Sequence, residues 1–169
     1  AISGTLAQNT SALVTDSSKV SVSDATVTIT DADGTAVNAA DLAAIGSATT
    51  GSVTATNAIA ISGTGTELTS ALVNTDTKIL ASNSSTTATI TDSITASTAN
   101  AIAQTTNITA IFSGGITDTH SNLADSGSIT TTLSNITNDD PDVSITITDA
   151  NGTNVNAADL AAIGSATTG

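Results

Sequence analysis

The sequence predicts a mainly β protein, a parallel β-solenoid with short helices or helical turns on one side of its coils. Three observations carry this expectation: the chain repeats itself at fixed offsets, its strand-like segments alternate apolar and hydroxyl residues, and its helix-like segments are too short to stand alone. Ile29-Thr30-Asp31-Ala32-Asp33-Gly34-Thr35 recurs as Ile147-Thr148-Asp149-Ala150-Asn151-Gly152-Thr153, and residues 37–51 recur unchanged as 155–169, an offset of 118. At an offset of 59, Ile2-Ser3-Gly4-Thr5 falls on Ile61-Ser62-Gly63-Thr64, Ser11-Ala12-Leu13-Val14 on Ser70-Ala71-Leu72-Val73, and Lys19 on Lys78. A third, eroded copy begins at Phe112-Ser113-Gly114. Self-similarity at fixed spacing marks repeat architectures. Residues 1–169 therefore read as a single repeat array of 59-residue units, each of two coils of about 30 residues, with units starting near 2, 61 and 112. Both ends fall inside a unit without the polar cap that terminal repeats ordinarily carry. The expectation is an excerpt of a longer array, or subunits stacking end to end.

Each unit has a readable order of elements. Residues 26–30 alternate at period 2, as a half-buried strand does, and Asp31-Ala32-Asp33-Gly34 is a turn signal. Asn38 is placed to cap a helix over 39–45, with Asp41 in a capping-box-like position and Gly46 as its stop. Residues 51–56 return to strand patterning. The second half repeats the scheme: strand 58–61, turn 63–65, helix-like 67–73, strand 78–81. Strand 87–91 and helix 99–103 follow, then strands at 108–112, 128–132 and 143–148, with 134–142 the least regular stretch. A two-turn helix is unstable alone, but stacking buries its apolar face against neighbouring coils. The expected inward residues are Val27, Ile29, Leu42, Ile45, Val53, Ile59, Ile61, Leu68, Leu72, Ile79, Ile90, Ile102, Ile108, Leu123, Ile129, Ile145 and Ile147.

Composition narrows the function. Lys+Arg is 2 against Asp+Glu 15, a formal charge of −13. Phosphate binding draws on clustered Lys and Arg, so a nucleic-acid partner is not expected. No apolar run approaches the ~18 residues of a membrane span, so membrane insertion is not expected. Cys, Met, Trp and Tyr are absent and Phe112 is the one aromatic, which removes disulfides and most of the large groups that line enzyme pockets. The mean hydropathy of +0.23 and the plentiful Val, Ile and Thr argue against disorder. The chain reads as non-enzymatic.

The candidate sites are few. Asp31-x-Asp33-Gly34 resembles the start of a calcium loop, although Leu42 stands where the downstream acidic ligand belongs. Asp149 occupies the equivalent place in the second copy. Turn formation is the ordinary role of such residues, and calcium is the one cofactor suggested, bound at Asp31, Asp33 and Asp149, with divalent ions stiffening the array through Asp31, Asp92 and Asp149 and through Asp139, Asp140 and Asp142. His120 reads as a solvated histidine. Asn-x-Ser/Thr sequons stand at Asn9, Asn83, Asn107, Asn135 and Asn151. Rows of alternating hydroxyls (Thr26, Thr28, Thr30; Thr87, Thr89, Thr91; Ser144, Thr146, Thr148) are expected on one face, broken by Ala58 and Ala60.

The Asn38-Ala39-Ala40-Asp41-Leu42 segment, with Thr49-Thr50-Gly51-Ser52-Val53-Thr54-Ala55-Thr56 after it, resembles Thr/Ala-rich repeats of giant bacterial cell-surface or adhesin-like proteins, frequent in cyanobacteria and marine bacteria. The resemblance covers most of the chain. It implies an extracellular, cell-surface location, often beside calcium-binding adhesin modules. The calcium nonapeptide pattern G-G-x-G-x-D is missing, so that chemistry does not carry over. The function expected is a structural repeat forming a surface filament, sheath or fibre, with copies of itself as partner. The alternative is an adhesin stalk or binding module, calcium-stiffened or ice-binding.

Overall fold

Helical segments, seven α-helices and one π-helical segment, carry 35% of the described residues and strands 24%, in a mixed α/β fold with parallel sheets. The expectation of a mainly β solenoid is thereby corrected. The computed structural model describes residues 1–15, 20–21, 23–76 and 79–169. Lys19 and Lys78, whose alignment supports the repeat, lie outside the described residues.

Helix wins over turn because nearly every helix start carries a side-chain cap. The helices are α1 (Leu6–Leu13), α2 (Ala39–Ser47), α3 (Gly65–Leu68), α4 (Ala96–Ala103), α5 (His120–Leu123), α6 (Thr131–Asp139) and α7 (Ala157–Ala166). Thr5, Asn38, Thr64, Thr95, Thr130 and Asn156 each accept a backbone N–H from the first turn that follows. These N–H groups have no intrahelical partner, and satisfying one is worth about 1 kcal/mol. Threonine, which reads as a strand former in the sequence, thus also starts helices. Gly46 does not stop α2; it is buried inside it, and Ala48 is the C-cap. A π-helical segment, Thr69–Val73, extends α3. The Asn74 N–H donates to Thr69 O, and at the end of α1 the Thr15 N–H donates to Thr10 O in the same five-residue pattern.

Two four-stranded parallel sheets organise the chain. The first contains β1 (Ile2–Gly4), β2 (Val27–Ile29), β4 (Val53–Ala55) and β6 (Ile79–Ala81), in that order. Its register runs Ile2 to Val27 to Val53 to Ile79. The second contains β3 (Ala36–Asn38), β5 (Ala60–Gly63), β7 (Thr86–Ile90) and β8 (Ile108–Ile111), with Val37 on Ile61 and Ile61 on Ala88. A shorter parallel pair joins β9 (Ile116–Asp118) to β12 (Ile145–Ile147). Like falls on like because one face of each strand is buried, and a one-residue slip would turn every side chain over. The helices pack in sequence: α2 lies between α1 and the α3–π segment, which meets α4, and α4 packs on α6.

The 128–132 stretch is not a parallel strand. β10 (Ala124–Asp125) and β11 (Ser128–Ile129) form an antiparallel hairpin through Ser126 and Gly127, at φ 54° and 81°. Positive φ at both central residues matches the twist of a tight hairpin. The stretch expected to be least regular is largely α6, held by buried Leu133 and Ile136. Of the expected inward residues, Leu72, Ile129, Ile145 and Ile147 are half-buried and the rest are buried. No helix among the described residues is long and apolar enough to cross a membrane.

Candidate functional site: carboxylates between neighbouring helices and strands

The acidic residues have a common use. Asp31, Asp92 and Asp149 follow a strand and Asp118 ends one, and each accepts the first N–H of a helix. Leu6 N–H donates to Asp31 Oδ2 at 2.6 Å, Gly65 N–H to Asp92 Oδ1 at 2.7 Å, Ala96 N–H to Asp118 Oδ2 at 2.9 Å, and His120 N–H to Asp149 Oδ2 at 2.8 Å. The residues so joined lie 25, 27, 22 and 29 apart in sequence. A carboxylate at a helix N-terminus is doubly favourable, through charge-assisted hydrogen bonds and through the helix dipole. Two more carboxylates reach strand or loop amides: Ala58 N–H donates to Asp33 Oδ1 (2.7 Å) and Gly127 N–H to Asp159 Oδ1 (2.6 Å).

The three residues expected to hold calcium are each engaged by a different backbone amide. Asp31 caps α1 and its backbone carbonyl takes the Asn57 side-chain amide at 2.7 Å. Asp33 holds the Ala58 amide, and Asp149 caps α5. Among the described residues no three His, Cys, Asp or Glu side chains form a group that could hold a metal ion.

His120, expected in solvent, is instead paired. Its Nδ1 lies 2.7 Å from Asp149 Oδ1, and its side chain is 15% exposed. The His120 N–H foremost, and then its ring, hold the Asp149 carboxyl below the ordinary carboxylate value. Ser121 Oγ meets Thr119 Oγ1 at 3.2 Å. A fork that grips one carboxylate through the backbone and the ring of the same residue fixes a helix start.

A second acidic group, in the stretch expected to be least regular, closes α6. Ala110 N–H donates to Asp139 Oδ2 (3.0 Å) and Phe112 N–H to Asp140 Oδ2 (2.6 Å). Burial pushes the Asp140 carboxyl up; the Phe112 N–H opposes this, and Asp142 and Asp139 add to the rise. The groove beside Asp92, lined by Gly65, Thr66, Thr69, Ser93 and Thr117, offers one carboxylate, already bound to the Gly65 amide.

Two other expectations are corrected by position. The hydroxyl rows do not share a face: Thr28 pairs with Ser3 and Thr54, Thr87 with Ala60 and Thr109, and Thr146 with Thr117, in three separate sheets. Asn9, in a sequon, is 1% exposed and its amide donates to Gly4 O and Thr28 O, so in the folded chain it is closed to sugar.

No protein-family model, curated protein or solved structure matches the chain.

Proposed function

We propose that the chain is a non-enzymatic structural repeat protein of the cell surface, which assembles end to end into a filament, sheath or fibre. The observation that carries this reading is the use of its acidic residues. They are its most abundant ionisable groups, and eight of them hold backbone N–H groups of a neighbouring part of the fold. Parallel ladders and these carboxylates join neighbouring parts of the fold through many backbone hydrogen bonds. The resemblance to Thr/Ala-rich surface repeats supports the extracellular placement.

In this reading the amides of Leu6, Ala58 and His120 do for Asp31, Asp33 and Asp149 what calcium does in other surface repeats. The melting temperature is expected to be the same with and without a chelator; a fall on chelation contradicts this part. Electron microscopy of the purified chain tests the assembly itself. Uniform fibres are expected. Discrete particles at every concentration contradict the filament and favour a stalk that displays another domain.

A further inference from the structure

We infer that Asp139 and Asp140 guard the edge of the second sheet: they stand where a fifth strand would pair with β8, and so keep a second copy of this chain from adding a strand there. The inference is independent of the filament reading, since it concerns a place where copies do not join.

A strand edge is a row of open N–H and C=O groups, and any extended chain can pair with it. β8 is such an edge. It has β7 on one side and, among the described residues, no strand on the other, although the chain runs on well past it. Its sequence makes the edge hazardous. Thr105-Thr106-Asn107-Ile108-Thr109-Ala110-Ile111-Phe112 carries no charge, proline or glycine, the composition of segments that stack on copies of themselves. Ile111 is 37% exposed, so the strand also offers a partner an apolar side chain.

The edge is nevertheless closed. Alternate amides of a strand point to the same side, and those of Ala110 and Phe112 are the ones a fifth strand would use. Instead the Ala110 N–H donates to Asp139 Oδ2 and the Phe112 N–H to Asp140 Oδ2. Two consecutive side chains at the end of α6 thus supply the acceptors that two strand carbonyls would supply. Their position is fixed by α6, which buries Leu133 and Ile136 and packs on α4 and β8. Ala110 and Phe112 are buried, and so is Asp140.

Carboxylates suit this task for two reasons. A hydrogen bond to an ionised acceptor is about twice as strong as one between neutral groups, so an incoming strand gives up more than it gains by displacing it. An ionised carboxylate also has no donor. It satisfies the edge without presenting an N–H to the next chain, and the ladder stops there.

Two paired substitutions test the guard. Asp139→Ala with Asp140→Ala frees both amides, whereas Asp139→Asn with Asp140→Asn lowers the charge equally but keeps an acceptor at each place. Sedimentation over a concentration series and hydrogen exchange at Ala110 and Phe112 read the outcome. The alanine pair is expected to associate at a concentration about tenfold or more below that of the unaltered chain. Both amides should exchange fast in dilute solution and be protected again in the associated form. The asparagine pair is expected to match the unaltered chain in both measurements. If circular dichroism shows the alanine pair unfolded, Asp139→Ala alone, which leaves the buried Asp140 in place, is expected to give the same shift at Ala110. Three results each overturn the guard: a folded alanine variant that associates no more readily than the unaltered chain, association that leaves the freed amides fast, or an asparagine pair that associates as the alanine pair does.

Discussion

A single leucine in two copies of one sequence shows what burial is worth here. Leu42 is 0% exposed and Leu160 44%. Leu42→Ala is expected to lower the unfolding free energy by about 2–5 kcal/mol, the range for fully buried leucines, and Leu160→Ala by less than about 1 kcal/mol, both read by denaturant melts. Thr86 is an opposite case. It is 0% exposed and its Oγ1 finds no partner among the described residues, so the hydroxyl was desolvated without return. Thr86→Val keeps the shape and is expected to raise stability by about 1 kcal/mol. The two perturbed aspartates act in opposite directions with pH. Asp149 is held below the ordinary value of 3.8, so its contribution is present at neutral pH and is lost as pH falls through its lowered pKa. Asp140 is held above 3.8, so its cost appears as pH rises through its raised pKa. Acidification from neutrality to pH 3.8 should stabilise the chain through Asp140, and acidification below pH 3.8 should destabilise it through Asp149. In Asp140→Asn, which can still accept the Phe112 N–H, the early rise should vanish from a series of melts against pH; its persistence would place the effect elsewhere.

At the level of elements, the sequence is most legible where residues pattern locally. β2, the turn after it, the cap Asn38 and the body of α2 all stand where alternation, Gly34 and the Ala-rich run place them. Three elements were hidden, each for a physical reason. α1 has no strong helix-forming run and is fixed by the capping box between Thr5 and Gln8. α6 is rich in Thr and Asn, poor helix formers, and forms because Leu133 and Ile136 are buried on one side. The hairpin at Ser126 and Gly127 rests on a backbone conformation that glycine permits but its abundance here does not announce. The candidate site was half legible: Asp31 and Asp149 stand out by repetition, but not that their partners are amides some 25–29 residues away. Removing the side chain in Asp149→Ala frees the α5 start and is expected to lower the melting temperature. His120→Ala, which keeps the backbone bond, should cost less. Equal losses would assign the effect to the ion pair.

Across the whole molecule, the same bond recurs between successive strand–helix segments, and that recurrence joins the fold to the function proposed for it. Glycine marks where segments meet most closely. A Cβ on Gly51 would stand 2.3 Å from Ala25 O, and one on Gly169 2.0 Å from Asp142 O, at positions 118 residues apart in identical sequence. The first backbone N–H of a helix ordinarily lacks a partner within its helix and exchanges with solvent readily. In this chain the amides of Leu6, Gly65, Ala96 and His120 are held by carboxylates from the neighbouring segment. Native-state hydrogen exchange at these four amides is the most direct measurement of whether carboxylates join the segments. Protection approaching that of the sheet amides of Val27 and Ile61 is expected; exchange as fast as in an open helix end would contradict it.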